Sequence, residues 1–166
     1  YSCADDYDKA RSLCTRVIEA KSAGIAREQK SYAFFRRGRS SYCMGPRRWD
    51  LSQAKADYTA GADLAPRAPW AAKGLFLAGN ICFNYDRDYD RAITAWTRVL
   101  QMHPEAEEAE RCAYYLGVAH EARKCPGEAR AAFEQFLRKY PSSRFAGVVQ
   151  SHHLARLVPS QRPAEK

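Results

Sequence analysis

Four histidines, six cysteines and one acidic trio are the residues whose chemistry could be used in this 166-residue chain. The cysteines are Cys3, Cys14, Cys43, Cys82, Cys112 and Cys125. No two have C-x-x-C spacing and none is followed by a histidine at zinc-finger distance, so they do not compose a structural zinc site. Asp86-x-Asp88-x-Asp90 opens like a calcium loop, but Arg91 stands where that loop needs Gly and Thr97 where it needs the closing Glu. The trio reads instead as acids at a helix start, where free N–H groups and the positive dipole end favour them. His152 and His153 are adjacent, so on a helix their rings point apart and chelate poorly. There is no G-x-S-x-G, P-loop or H-E-x-x-H motif. No enzyme, metal site or cofactor is therefore expected.

The even cysteine count, in a chain that opens at Tyr1 without an initiator Met, fits an oxidising compartment and one to three disulfides. A processed or trimmed start is the matching expectation. Six buried thiols acting as small apolar side chains is the other reading. Cys3 and Cys14 are the expected pair. Asp5 and Asp6 could cap a helix from about Tyr7, with Cys3 in an extended lead-in folded back along it. Pairing of Cys43, Cys82, Cys112 and Cys125 stays open.

The elements that must position such residues are helices. Ala is frequent and Val and Ile are sparse. Ala92, Trp96, Val99 and Leu100 make one helical stripe, and Ala129, Ala132, Phe133, Phe136 and Leu137 make another. No window alternates as a half-buried strand would. Prolines 46, 66, 69, 104, 126, 141, 159 and 163 fall between periodic segments. The spacing predicts about eight helices, near 5–21, 27–43, 50–65, 69–84, 88–102, 106–123, 127–140 and 143–157. They form one domain over 1–157, followed by a frayed tail at 158–166.

Aligning on Pro66, Pro104 and Pro141 exposes a repeat. Twelve residues upstream of each stands Ala (Ala54, Ala92, Ala129), and eight upstream an aromatic (Tyr58, Trp96, Phe133). Leu116-Gly117 precedes the third set, with Gly79 and Phe83 near the matching places of the second and Gly38 in the first. Asp6-Tyr7-Asp8-Lys9-Ala10 recurs as Asp88-Tyr89-Asp90-Arg91-Ala92. These features resemble the tetratricopeptide repeat, whose pattern runs L-G-x-x-Y, A-x-x-x-F, then P. The resemblance spans roughly residues 5–157. It implies an all-α, right-handed solenoid of about three helical hairpins, with an N-terminal half-repeat and a C-terminal capping helix. It puts His120 at a core aromatic position, as a packed and satisfied histidine. Ala132-Phe133-Glu134-Gln135-Phe136-Leu137 through Tyr140-Pro141-Ser142-Ser143 resembles the repeat endings of bacterial envelope tetratricopeptide proteins. The lead-in with Cys3, Cys14 and Arg37-Gly38 resembles secreted relatives. Both imply a periplasmic or secreted location.

What the family does implies a non-enzymatic scaffold or adaptor that holds a partner peptide or protein in a concave groove built from the first helix of each hairpin. The family's groove positions fall on Tyr32, Phe35, Arg39 and Tyr42, then on Leu77, Ile81, Asn84 and Tyr85, then on Arg111, Tyr114, Val118 and Glu121. About a third of the aromatics in this set are expected to be buried against neighbouring helices. The carboxylate clamp of chaperone adaptors is absent from these positions.

The net charge of +8 admits another partner class. It is concentrated at residues 27–48, where Arg27, Lys30, Arg36, Arg37, Arg39, Arg47 and Arg48 face one acid, Glu28. Residues 86–110 are acidic, with seven carboxylates against three arginines. The alternative function is therefore binding of an anionic polymer, or peripheral contact with a membrane surface, through that patch. A nucleic-acid binder would sustain its basic stripe along the array, so nucleic acid is disfavoured. Helix 5–21 keeps an apolar flank that a homodimer could cover.

Overall fold

The computed structural model describes residues 3–20, 24–43 and 50–157, with side chains from residue 6 onward. Eight α-helices and no strand are found among them. The helices are α1 (Cys3–Glu19), α2 (Arg27–Cys43), α3 (Leu51–Leu64), α4 (Pro69–Ile81), α5 (Tyr89–Met102), α6 (Glu107–Ala122), α7 (Pro126–Lys139) and α8 (Ala146–Val148). A π-helical turn extends α4 over Cys82–Asp86, and another extends α8 over Val149–Leu154. Pro46, Arg47 and Arg48, and the tail at 158–166, lie outside the described residues.

Local chemistry sets the boundaries. The residue before a proline is steered out of the α region. Ala65, His103 and Tyr140, before Pro66, Pro104 and Pro141, share one geometry, with φ of −137°, −139° and −128°. Each still donates its N–H one turn back, to Gly61, Val99 and Phe136. Starts are set by Asp50 and Asp88, whose carboxylates accept from the N–H groups of Gln53 and Arg91 at 3.0 Å. Pro69 and Pro126 occupy first-turn positions, where the missing N–H costs nothing.

From α1 to α7 each helix packs on the next in chain order, the π turn after α8 packs on α7, and α4 also touches α2 and α6. Hairpins α2–α3, α4–α5 and α6–α7 are thus stacked as a solenoid, with the first helices of the hairpins neighbouring one another. The repeat register has a packing reason. The Trp96 ring lies on Gly79 and the Phe133 ring on Gly117, so a Cβ at either glycine would overlap the ring. At Gly38 a Cβ would come within 3.0 Å of Tyr58. Tyr58, Trp96 and Phe133 are buried completely or nearly so. Burying a ring of this size stabilises by roughly 2–3 kcal/mol.

One expectation is overturned. Helix α1 begins at Cys3, so no extended lead-in folds back. Eleven residues of helix separate the Cα atoms of Cys3 and Cys14 by about 16 Å, where a disulfide tolerates at most about 7 Å. Cys14, Cys43, Cys82, Cys112 and Cys125 are free thiols. Cys82 and Cys112 are core residues, but Cys43 is exposed and Cys14 and Cys125 are half-buried, so the reading of six buried thiols holds only for those two.

Candidate functional site

The twelve groove positions fall on α2, α4 with its π turn, and α6, and they divide by burial. Tyr32 is 42% exposed and Tyr85 45% exposed. Arg39 and Asn84 are also exposed. Tyr42 is half-buried beside Tyr85; burial and that neighbour push its hydroxyl above the ordinary range. This pair ties the end of α2 to the π turn after α4. Leu77 is half-buried against two core clusters. Phe35 and Ile81 are core residues, packed with Ala54, Tyr58 and Ala78, and are not available to a ligand. Of the five aromatics in the set, Phe35 is buried outright, Tyr42 and Tyr114 are half-buried, and Tyr32 and Tyr85 are exposed.

The third set departs from the expectation in another way. Tyr114 stacks face to face on Phe145, with centroids 4.5 Å apart, and its hydroxyl lies 3.3 Å from Nε2 of His153. Glu121 accepts from Nδ1 of His153 at 2.7 Å. Val118 packs on the same cluster as Phe133, Phe136 and Val149. So Tyr114, Val118 and Glu121 face the chain's own C-terminal segment. Burial first, then Tyr115 and Glu121, raise the Tyr114 hydroxyl above its usual range. Arg111 lies with its guanidinium 4.7 Å from the Phe76 ring centroid.

Sequence reasoning missed Trp70 and His153. The Trp70 ring leans against Tyr32 at 5.0 Å, and its Nε1 donates to Oγ of Ser31 at 2.8 Å. Ser31 passes the bond on to the Gly61 carbonyl at 2.7 Å. The signal was a tryptophan directly after the helix-opening Pro69. His153 is buried and stacks on Phe133 at 4.5 Å. Its neighbour His152 is exposed and meets Arg156, yet the two histidine rings do not point apart as expected: they touch edge to face with centroids 5.3 Å apart.

The basic patch is partly committed. Arg37 makes a two-pronged pair with Asp57 at 2.8 Å on both oxygens and reaches Thr15 at 3.2 Å. Gln53 donates to the same carboxylate at 2.8 Å. This buried knot joins α1, α2 and α3, so Arg37 is a structural residue and not part of an open patch. Lys30 donates to the Ala20 carbonyl at the end of α1, and Arg36 to the Tyr32 hydroxyl. Arg27 is exposed. Arg47 and Arg48 lie outside the described residues.

The acidic trio behaves as helix-start acids. Asp88 caps α5, Asp86 pairs with Lys55, and Asp90 pairs with Arg123 at 2.9 Å. A cleft of about 640 Å3 between α3 and α5, backed by Leu75 and Ala78 of α4, carries Lys55, Arg91 and Arg98. Each is paired, with Asp86, Asp88 and Asp63 respectively. A second cavity, of about 520 Å3, lies between α1 and α2 and is mostly apolar.

His120 is packed but not satisfied: its Nδ1 is buried with no hydrogen-bond partner among the described residues. Burial, reinforced by Arg123, lowers its value below 6.5. Burial likewise pushes the thiols of Cys14, Cys82 and Cys112 up, which favours the neutral thiol over the nucleophilic thiolate. No helix among the described residues is long and apolar enough to cross a membrane.

Against known proteins, the tetratricopeptide repeat family matches residues 111–143, which run through α6 and α7 to the turn after Pro141. No curated protein matches the chain. The matched unit carries the Gly117–Phe133 contact that recurs as Gly79–Trp96 and Gly38–Tyr58. By that family match and that repeated packing, residues 111–143 are similar to a tetratricopeptide repeat, and the two preceding hairpins repeat its helix crossing.

Proposed function

We propose that the chain is a non-enzymatic adaptor that holds a partner peptide or protein along the face formed by α2, α4 and α6. One observation carries this reading. Tyr32 and Tyr85 stand exposed at opposite ends of the first two hairpin-opening helices. Arg39 and Asn84 are exposed on the same elements. Rings of this kind bring large contact area and a polar tip at low entropic cost, which is why they anchor interfaces. The contact surface is narrower than the family pattern implies. It comprises Tyr32, Arg39, Tyr42, Leu77, Asn84, Tyr85 and Arg111.

The polyanion alternative is weaker, because Arg37 and Lys30 are engaged within the fold. An exported location belongs to the same proposal and rests on the resemblance of the segment Ala132–Ser143 to envelope proteins. The test is quantitative capture of partners from an envelope extract by the chain and by a Tyr85→Ala, Asn84→Ala variant with an unchanged melting curve. Loss of the captured species supports the groove. Undiminished capture overturns it. Capture that collapses between low and moderate salt and is indifferent to the variant selects the polyanion reading.

A further inference from the structure

Two aromatic pairs frame the part of the face that α2 and α4 share. Tyr32 leans on Trp70 near the start of the two helices, with centroids 5.0 Å apart. Tyr42 and Tyr85 share a hydrogen bond at their far end. Ten residues of helix separate Tyr32 from Tyr42, a rise of about 15 Å. Between the pairs, Arg36 and Arg39 follow Tyr32 at helical spacing on α2, and Lys73 stands between Trp70 and Leu77 on α4. All three cations are exposed.

No acid opposes this strip. After Glu28 in its first turn α2 has no acid, and α4 has none. Arg39 and Lys73 make no ion pair among the described residues. Arg36 donates to the Tyr32 hydroxyl at 3.2 Å, which leaves most of its guanidinium donors open. Other cations of the stack are matched. Arg111 on α6 has Glu107 beside it at 3.9 Å, and Lys55, Arg91 and Arg98 each have an aspartate.

The sequence is a poor source of the missing acids. The segments outside the described residues hold one, Glu165, against Lys21, Arg47, Arg48, Arg162 and Lys166. A second copy offers little more, because Asp86, Asp88 and Asp90 pair with Lys55, Arg91 and Arg123, and Glu110 accepts from Ser143. The strip also mixes its cations with rings, Leu77 and Asn84. Such a mix suits a peptide better than a phosphate polymer, which is held chiefly by a run of charges.

We propose that the partner segment on this face is an acidic peptide, with carboxylates at Arg36, Arg39 and Lys73 and an apolar side chain against the Tyr32–Trp70 pair. This rests on the groove reading given above and adds the chemistry of the occupant. An extended stretch of about five residues spans the frame. The planar forks of Arg36 and Arg39 suit two-pronged carboxylate contacts.

The test is selection from a random peptide library on the immobilised whole chain, followed by anisotropy titration of the selected peptides. They are expected to be rich in Asp and Glu and poor in Lys and Arg. Replacing their carboxylates by amides should weaken binding about tenfold or more. Arg39→Glu with Lys73→Glu should reject these peptides and select basic ones instead. That reversal cannot arise from misfolding. Tyr85→Ala with Asn84→Ala should weaken the acidic peptides too.

Selected peptides without acids, still weakened by Tyr85→Ala with Asn84→Ala, overturn the acidic occupant and leave the groove reading standing. No selection, or selection indifferent to all four substitutions, overturns both. A thymidine oligonucleotide that binds as tightly as the best peptide, and is lost on the charge reversal, would make the occupant a phosphate polymer and overturn the proposal. A concentration-dependent dimer in sedimentation that the charge reversal dissolves would make a second copy the occupant, which also overturns it.

Discussion

Nδ1 of His153 lies 2.7 Å from Oε2 of Glu121, and its ring stacks on Phe133. One histidine thus joins the C-terminal turn to both helices of the last hairpin. His153→Ala removes the stack and the bond together and is expected to cost about 2–4 kcal/mol. His153→Phe, which keeps the stack, should cost less than half as much. Thermal melts of the two variants would check the ordering.

Gly79 and Gly147 should respond oppositely to alanine. A Cβ at Gly79 overlaps the Trp96 ring, whereas one at Gly147 meets nothing within 4 Å. Gly79→Ala should therefore destabilise by about 1–3 kcal/mol through overpacking. Gly147→Ala should be neutral or stabilise by up to about 1 kcal/mol through reduced unfolded-state entropy. Urea titrations read both, and similar midpoints for the two would refute the close helix approach.

Arg37 and Asp57 form the knot that holds α1 and α3 on α2. Their side chains are 15% and 2% exposed. Asp57→Asn leaves a largely buried guanidinium without its counter-charge and is expected to cost about 2–4 kcal/mol. Exchanging both charges for apolar side chains, as Arg37→Met combined with Asp57→Leu, should cost less than Asp57→Asn alone. A double-variant cycle by denaturant melts measures this.

Acid should weaken the fold through His120. A histidine held below its ordinary 6.5 binds fewer protons folded than unfolded. Its contribution is complete above 6.5 and declines as pH falls through the lower folded value. Protonation would place a charge beside Arg123 and a donor at a nitrogen with no acceptor among the described residues. His120→Phe should flatten the pH dependence of the melting temperature below 6.5. An unchanged slope would remove His120 as its source.

Much of this architecture was readable in advance. Pro66, Pro104 and Pro141 mark helix ends because the preceding residue cannot stay helical, and the three share one geometry. The Gly and aromatic positions announce close helix crossings because each is wrong for the other's environment. The failures share a cause. Arg37 looked like surface charge because its partner lies 20 residues away. Phe35 and Ile81 looked like groove residues because a helical position alone does not distinguish two adjacent directions on one face. The Cys3–Cys14 pairing assumed a late helix start, which the helical lead-in at Cys3 removed.

By itself, the amino-acid sequence determined that this is an all-helical array with a tetratricopeptide register. Caps, prolines and helical stripes are local, and a repeat copies them. Only the tertiary structure decided which side of each helix meets a neighbour. It turned Tyr114, Val118 and Glu121 toward the C-terminal segment and left Tyr32 and Tyr85 outside. It also opened the cavity between α1 and α2. Those outcomes depend on which helix lies across which, and packing is settled by long-range contacts that no local pattern encodes.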